Sequence, residues 1–337
     1  MKYIVCREPG NFELLEKAPP VAGAGEALLK ITRVGICGTD LHAYAGNQAF
    51  FSYPRILGHE LSAEVLEIGA NDQGIETGDK VIIMPYLSCG KCVACRHGKT
   101  NCCANISVLG VHSDGGMQEI VALPTDILIP AGRLGHDEIA IVEPLAIGAH
   151  AIRRADVKAG ETIVVVGCGP IGIGLMALAK IVGATIIAMD TNEQRLEFVK
   201  NEIGVHHAVN VLKDPVKAVE DITGGDMATA VFDCTGNKRA LEGGIDYMSH
   251  GGRYVLVGLS KGELTWTHPK IHSKESTIMC SRNATTDDFQ WVKDTLEGGE
   301  FPTDKFITHS EPFENMISHF DSWLKPETGV IKAVVTW

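Results

Sequence analysis

The segment from Thr162 to Ala179, TIVVVGCGPIGIGLMALA, constrains the fold more than any other part of this chain. It opens with β-branched residues, is interrupted by glycines and one proline, and ends in an apolar stretch without a charge. This order is typical of a strand, a tight turn and a helix, and its breaks fit a membrane span poorly. The segment therefore predicts the first βαβ unit of a soluble α/β domain.

Strand and helix patterns alternate after this segment. TIIAMD precedes NEQRLEFVKNEIG, HHAVN follows, ATAVFDCTG precedes KRALEGGIDYMSH, and GRYVLVGL closes the series. This alternation predicts a doubly wound parallel sheet with helices on both faces. Residues 1–150 instead show short strand patterns and little helical periodicity, while the end of the chain shows one amphipathic helix, TDDFQWVKDTLEGG, and a strand, VIKAVVTW.

The glycine-rich turn has the G-x-G-x-x-G spacing of a dinucleotide-binding fingerprint. Its candidate cofactor residues are Gly167, Gly169, Pro170, Ile171 and Gly172. Glycine here permits a tight turn and lets a pyrophosphate approach the backbone at a helix N-terminus, which carries a partial positive charge. Asp190 ends the next strand pattern, where a carboxylate accepts the ribose hydroxyls and favours NAD over NADP. Arg195 is a further candidate, and a glycine-rich packing turn is the alternative interpretation.

Four cysteines in CGKCVACRHGKTNCC have the spacing C-x2-C-x2-C-x7-C: Cys89, Cys92, Cys95 and Cys103. Four thiolates complete the tetrahedral shell of a zinc ion, so this lobe predicts a structural site with no open position. Cys102 competes with Cys103 for the fourth place. An iron–sulfur cluster is the alternative, because such centres also use runs of cysteines.

A second, dispersed group combines Cys37 in GICGTDLH, His59 and Glu60 in LGHELSAEV, and Glu143 in IVEPLA. Thiolate, imidazole and carboxylate donors are those of a catalytic zinc site. Each residue is ordinary by itself, since a lone cysteine is usually a small core residue. Spacing alone therefore leaves the role of this group open.

Length and charge exclude several classes of protein. A chain of 337 residues favours two domains. Lys and Arg total 30 against 42 Asp and Glu, for a net charge of −12, and an acidic chain repels nucleic acid. The first residues lack the apolar run of a signal peptide, so the ten cysteines are expected to be reduced in the cytoplasm. We expect neither nucleic acid nor a membrane as a partner.

Taken together, seven segments resemble the zinc-dependent medium-chain dehydrogenases/reductases: GICGTDLH, ILGHELSAEV, the four-cysteine lobe, DGGMQEIV, VEPLAIGAHA, VVVGCGPIG and SRNATTDDF. They occur in the order of that family, and the similarity covers essentially the whole chain. VEPLAIGAHA is most similar to the polyol and threonine dehydrogenase branch. VLGVHSDGGMQE resembles bacterial relatives assigned to sugar-acid oxidation, such as L-gulonate or L-galactonate 5-dehydrogenases.

The resemblance implies a catalytic zinc ion held by Cys37, His59 and Glu60. Glu143 is then either a fourth ligand or a partner that exchanges with water, since family members differ here. The resemblance leaves the identity of the fourth ligand open.

The resemblance also assigns residues to proton transfer. Thr39 takes the substrate proton, and His42 passes it to solvent by way of the nicotinamide ribose. Asp40 orients the ligand histidine. Arg282 matches, more loosely, a basic residue near the cofactor.

The implied architecture is a GroES-like β-rich catalytic domain from residues 1–150 and 280–337, with a Rossmann NAD-binding domain at residues 151–279. The implied cofactors are two zinc ions per chain, one catalytic and one structural, and NAD. The implied reaction moves a hydride between NAD and a secondary alcohol of a sugar acid or polyol, in a homodimer or homotetramer. An L-threonine 3-dehydrogenase or a sorbitol-type polyol dehydrogenase is the enzymatic alternative. A zinc- and nucleotide-binding redox sensor is the non-enzymatic alternative.

Overall fold

The structure, a computed structural model, describes residues 1–47 and 51–337. The chain divides into two compact units. Unit 1 contains Met1–Pro144 and Thr285–Trp337, and unit 2 contains Leu145–Ala284. The boundaries drawn from sequence, after residues 150 and 279, fall inside a helix and inside a strand of the structure.

The strands and helices of the structure are numbered here in chain order. The strands are β1 (Lys2–Glu8), β2 (Asn11–Glu16), β3 (Glu26–Ile36), β4 (Glu60–Ile68), β5 (Lys80–Ile83), β6 (Tyr86–Leu87), β7 (Ser107–Val108), β8 (Ile120–Pro124), β9 (Leu128–Pro130), β10 (Thr162–Val166), β11 (Thr185–Asp190), β12 (His207–Asn210), β13 (Ala228–Asp233), β14 (Met248–Leu256), β15 (Thr277–Cys280), β16 (Ile307–Pro312) and β17 (Lys332–Thr336). The helices are α1 (Gly38–Tyr44), α2 (Val93–Arg96), α3 (His136–Ala140), α4 (Val142–Ala155), α5 (Pro170–Val182), α6 (Glu193–Phe198), α7 (Pro215–Ile222), α8 (Lys238–Gly243), α9 (His268–Ser273), α10 (Thr286–Glu297), α11 (Thr303–Phe306) and α12 (Met316–Trp323).

Unit 2 is built on a six-stranded parallel sheet in the order β12-β11-β10-β13-β14-β15. Its central strands are apolar and almost fully buried, as expected for a sheet covered on both faces. The strand order reverses at β10, so the carboxyl ends of β10 and β13 form the crevice where such sheets bind ligands. The predicted doubly wound α/β fold is confirmed.

Two glycines make the turn after β10 possible. A Cβ atom added to Gly172 would lie 1.9 Å from the Gly167 carbonyl oxygen, so α5 packs against the turn only if residue 172 has no side chain. Gly167 itself has φ of +99°, which favours glycine. The spacing of these two glycines is therefore a steric requirement of the turn.

Unit 1 is built on a largely antiparallel seven-stranded sheet. Its order is β16-β17-β3-β4-β5-β9, and β8 also pairs with β3. The core holds buried aliphatic residues of β3 and β4 and the aromatic residues of α12 and the turn before it. Both ends of the chain therefore contribute to one hydrophobic core.

Several helices were absent from the sequence interpretation. The first 150 residues include most of α4, a 14-residue helix that begins at Val142, and unit 2 contains α7 between β12 and β13. The predicted helix NEQRLEFVKNEIG continues beyond α6 as a π-helical turn, Val199–Ile203. In the described ranges, no helix is both long and apolar enough to traverse a bilayer.

Candidate functional site

Three of the dispersed residues converge at one end of the β3–β4 pair. Cys37 follows β3 and is the N-cap of α1, His59 directly precedes β4, and Glu60 is its first residue. The antiparallel register opposes Gly35 to Glu60. One ligand atom from each of Cys37, His59 and Glu60 therefore lies within 4.8 Å of the others.

Asp40 ties these segments together from within α1. Its carboxylate accepts a hydrogen bond from Cys37 N at 2.9 Å and one from Gly58 N at 3.3 Å, and it lies 3.9 Å from His59 Nδ1. Burial raises the pKa of Asp40, although the nearby His59 and the Cys37 N–H oppose this. Burial opposes protonation of His59, but the charges of Cys37 and Asp40 outweigh it and raise the pKa of the imidazole.

Glu60 is held by a lysine that the sequence interpretation missed. Lys332 Nζ on β17 lies 2.7 and 2.6 Å from the two Glu60 carboxylate oxygens and donates to Ile36 O at 3.1 Å. Both side chains are almost completely buried. Burial disfavours the charged lysine, but Glu60 and Cys37 outweigh this and raise the pKa of Lys332. The sequence indicates this buried ion pair only by the presence of a lysine within the apolar strand pattern VIKAVV.

Glu143 lies beside this cluster and has its own partner. It is near the start of α4 and is 5% exposed, and its Oε1 accepts a hydrogen bond from the Tyr86 hydroxyl. Burial raises the pKa of Glu143, while the charge of His59 lowers it. Glu143 lies outside the group of Cys37, His59 and Glu60, whose ligand atoms are within 4.8 Å of one another. Its negative charge nevertheless contributes to the raised pKa of His59.

The residues of this cluster fit a zinc ion. Thiolate, imidazole and carboxylate are the donors that zinc uses. In the described part of the chain, His59 Nδ1 is a buried nitrogen without a hydrogen-bond partner, and an Asp40 carboxylate oxygen lies 3.9 Å from it. A carboxylate facing the second nitrogen of a ligand histidine is the usual arrangement in zinc sites.

Thr39 and His42 lie on α1, directly after Cys37. Thr39 is half-buried and His42 is exposed. Residues three apart lie on the same side of a helix, so Thr39 and His42 share one side of α1.

The four-cysteine lobe is a second cluster, in which one sulfur from each of Cys89, Cys92, Cys95 and Cys103 lies within 4.8 Å of the others. Cys92 Sγ is 3.5 Å from Cys95 Sγ, close to the ~3.8 Å expected for tetrahedral zinc with bonds of about 2.3 Å. Hydrogen bonds from the backbone of Lys91 and Cys92 lower the pKa of Cys89 to about 6. Burial and the neighbouring thiols raise the pKa of Cys95 to about 11.

The lobe discriminates between the two adjacent cysteines. Cys103 Sγ accepts hydrogen bonds from Cys89 N and Asn105 N, both at 3.3 Å, and is buried. Cys102 is exposed and lies outside the cluster. The geometry therefore brings Cys103, and not Cys102, to the fourth place.

Most of the predicted cofactor residues of unit 2, but not Arg282, lie in or beside the glycine turn. Gly169 is the N-cap of α5, and the helix begins with Pro170 and Ile171. Asp190 accepts hydrogen bonds from Cys168 N at 2.7 Å and Asn192 N at 2.9 Å, so it braces the turn. A carboxylate has about four acceptor sites, which leaves capacity for ribose hydroxyls.

The two arginines of the prediction differ in placement. Arg195 lies in α6, and its charge acts on Cys168 in the glycine turn. Arg282 is exposed and follows β15, the edge strand of the sheet.

Known families and proteins match along the whole chain. The family profile of the zinc-binding dehydrogenases matches residues 170–298, and that of the alcohol dehydrogenase GroES-like domain matches residues 23–133. The L-galactonate-5-dehydrogenase of Escherichia coli K12 is 41% identical over 337 residues, covering 100% of this chain and 99% of that protein. The L-threonine 3-dehydrogenase of Pyrococcus horikoshii is 33% identical, covering 98% and 97%.

A solved structure is similar over the same length. The alcohol dehydrogenase RspB of Escherichia coli CFT073, complexed with NADH, has a TM-score of 0.93 at 29% identity and covers 100% of this chain and 99% of that chain. A GroES-like part and a doubly wound nucleotide-binding part in one chain define a dehydrogenase of the alcohol dehydrogenase type. This chain belongs to the zinc-dependent medium-chain dehydrogenases/reductases, and the predicted family is confirmed.

Proposed function

We propose that this enzyme oxidises a secondary hydroxyl of a sugar acid, of the L-galactonate or L-gulonate type, with NAD as the hydride acceptor. The observation that carries the proposal is the convergence of Cys37, His59 and Glu60 within 4.8 Å, directly beside Thr39 on α1. The 41% identity to an L-galactonate-5-dehydrogenase over the whole chain supports the substrate class.

Cys37 and His59, with a carboxylate from Glu60 or Glu143, hold the catalytic zinc in this proposal. Bound zinc supplies Lewis acidity that lowers the pKa of a hydroxyl, and NAD supplies a hydride acceptor. Asp40 keeps the His59 ring oriented through its position beside Nδ1. Thr39 accepts the hydrogen bond of the substrate hydroxyl, and the exposed His42 passes the proton to solvent.

The glycine turn of unit 2 holds the dinucleotide in this proposal. Backbone N–H groups at the start of α5 bind the pyrophosphate. Asp190 binds the ribose hydroxyls while it braces Cys168 N. Arg195 and Arg282 are the basic residues proposed to lie near the cofactor.

A second zinc ion, in the four-cysteine lobe, completes the proposed cofactors. Four sulfur donors and their backbone N–H···S bonds support a closed structural site. We expect two zinc ions per chain, and metal analysis distinguishes them from an iron–sulfur cluster.

We also propose that the enzyme is a cytoplasmic homodimer or homotetramer that acts on small molecules. All ten cysteines lie in the described residues and none is paired in a disulfide, which supports a reducing compartment. Within the described residues, β15 pairs only with β14 and so leaves one sheet edge for a second subunit. Light scattering of the purified protein tests the assembly.

A substrate panel tests the reaction. NADH absorbance is followed with sugar acids, polyols, L-threonine and simple alcohols, and Cys37→Ser is the matched control. We expect the highest kcat/KM with a sugar acid and nearly no turnover in Cys37→Ser. A higher kcat/KM with L-threonine or sorbitol would select the alternative enzyme, and NAD binding without turnover of any alcohol would select the redox sensor.

A further inference from the structure

The two carboxylates beside Cys37 and His59 are anchored in different ways. Both Glu60 oxygens accept hydrogen bonds from Lys332 Nζ. Glu143 is anchored through Oε1, which accepts from the Tyr86 hydroxyl. The difference matters because a catalytic zinc site takes three protein ligands and keeps a further position for water or substrate.

Tyr86 is rigidly placed for this contact. It is 5% exposed and lies on β6, where it opposes Val108 of β7. Its ring packs edge-to-face against Phe289 of α10, with 6.2 Å between ring centroids. Backbone pairing and ring packing therefore fix the direction of the hydroxyl, independently of Glu143.

A carboxylate anchored at one oxygen presents its other oxygen in a fixed direction. Glu143 held in this way offers one donor atom, whereas a freely rotating carboxylate offers either oxygen or both. Single-atom donation keeps the coordination shell small and leaves room for the hydroxyl of a substrate. Loss of the phenol hydroxyl would free the carboxylate without emptying the space that the ring fills.

We propose that Tyr86 is a positioning residue that holds Glu143 by one oxygen and directs its other oxygen at the catalytic metal centre of Cys37, His59 and Glu60. This inference rests on the proposed function and deepens it. It assigns the placement of Glu143 to its partner on β6.

Cobalt substitution of the catalytic site tests the role of Tyr86 without turnover. The visible spectrum of Co²⁺ in the full-length protein reports its coordination in the absence of substrate and NAD. We expect Tyr86→Phe to change this spectrum and to release Co²⁺ to a chelator about tenfold faster, the size of loss typical for a residue that orients a ligand. Glu143→Gln should produce the same kind of change, and the double variant should add little to either.

Tyr254→Phe is the matched control. Tyr254 is also buried and donates its hydroxyl to a backbone oxygen, Leu241 O at 2.7 Å, but it lies in unit 2. It should leave the spectrum and the release rate unchanged. Under substrate saturation, Tyr86→Phe should lower kcat while the KM for NAD stays constant.

The outcomes separate this inference from the proposed function. If the unaltered protein binds Co²⁺ and oxidises an alcohol, but Tyr86→Phe matches it in spectrum and release rate, the role of Tyr86 is overturned. Additive effects of Tyr86→Phe and Glu143→Gln on release would overturn it as well. If Tyr86→Phe does not fold, an unchanged spectrum in Glu143→Gln is the overturning result. If Cys37→Ser has no effect on Co²⁺ binding, the proposed function itself fails.

Discussion

The ammonium group of Lys332 lies 2.6 Å from one carboxylate oxygen of Glu60, inside the protein and against the cluster of Cys37 and His59. Three anionic groups, Cys37, Glu60 and Glu143, exceed the charge of one divalent cation. Lys332 places a positive charge against these anionic groups, in a buried environment where an unbalanced charge is costly.

Replacing Lys332 with methionine should therefore destabilise unit 1. It leaves Glu60 as a buried, unpaired carboxylate, and breaking such a pair typically costs about 3–5 kcal/mol. Adding Glu60→Gln should recover much of the loss, because the orphaned charge disappears. Urea unfolding measures both effects, and Lys325→Met, an exposed lysine of unit 1, should be silent. Equal stability of Lys332→Met and the unaltered protein would contradict this electrostatic account.

The adjacent cysteines of the lobe offer a matched pair. Cys103→Ser removes a buried cluster sulfur and should lower both the zinc content and the melting temperature, the latter by roughly 5–10 °C. Cys102→Ser changes an exposed thiol outside the cluster and should alter neither. Metal analysis and calorimetry check the pair, and the reverse result would assign Cys102 to the site.

Asp190 should make the enzyme prefer NAD over NADP. A 2′-phosphate beside this carboxylate costs about 4 kcal/mol per unit-charge pair at 4 Å and an effective dielectric of 20. At 1.4 kcal/mol per tenfold change, this gives a preference of about several hundredfold. Asp190→Ser should erase most of it and also weaken NAD binding, because the brace on Cys168 N is lost. Glu193→Gln removes a nearby exposed charge and should keep the preference for NAD, so it serves as the control. Comparable kcat/KM values for NAD and NADP in the unaltered enzyme would refute the role of Asp190.

His42 should pass a proton without binding metal. His42→Ala is expected to lower kcat by about tenfold, most strongly at acidic pH, where release of the proton needs a relay. An imidazole buffer should restore part of the rate. His309→Ala removes a half-buried histidine of unit 1, on β16, and serves as the control. Loss of zinc from His42→Ala would instead identify His42 as a ligand.

His136 should make the stability of unit 1 fall in mild acid. Its Nδ1 lies 2.9 Å from both Thr32 Oγ1 and Ser62 Oγ, and burial with the charges of Arg33 and Lys80 lowers the pKa of the imidazole. The unfolded chain then binds the proton first, near pH 6.5, so the stabilising contribution is present above that pH and is lost as the pH falls through the lower folded value.

The comparison with His136→Asn isolates this contribution from acid effects on the metal sites. The difference in unfolding free energy between the two proteins should shrink as the pH is lowered from about 7.5 to about 5.5. A difference that stays constant over that range would contradict the assignment.

Local patterns in the sequence were sufficient for the doubly wound sheet and for the grouping of the four cysteines, whereas the GroES-like domain was implied by the resemblance. The glycine spacing from Gly167 to Gly172 and the short cysteine spacings act within one turn or one loop, so the sequence displays them directly. The family resemblance identified the dispersed candidate ligands Cys37, His59 and Glu60, and the structure brings their ligand atoms together. The partners of Glu60 and Glu143 were not predictable, because Lys332 is 272 residues from Glu60 and Tyr86 is 57 from Glu143.

The helix α4 was missed although its sequence, VEPLAIGAHAIRRA, has a helical period as marked as that of α10, which was predicted. Pro144 and Gly148 lie inside it, and both residue types lower the intrinsic helix propensity of a segment. The helix forms because most of its residues are buried, which the local sequence does not display.

The separation of Glu60 from Lys332 also makes the core of unit 1 depend on both ends of the chain. Unit 2 is one continuous segment, whereas unit 1 needs β3 and β4 from the early chain and β17 from its far end. Closing so long a loop is entropically expensive, but an intervening domain that has already folded acts as a compact tether and shortens it. The buried partner of Glu60 is therefore supplied by the last strand of the chain, and the ion pair is complete only when β17 pairs with β3.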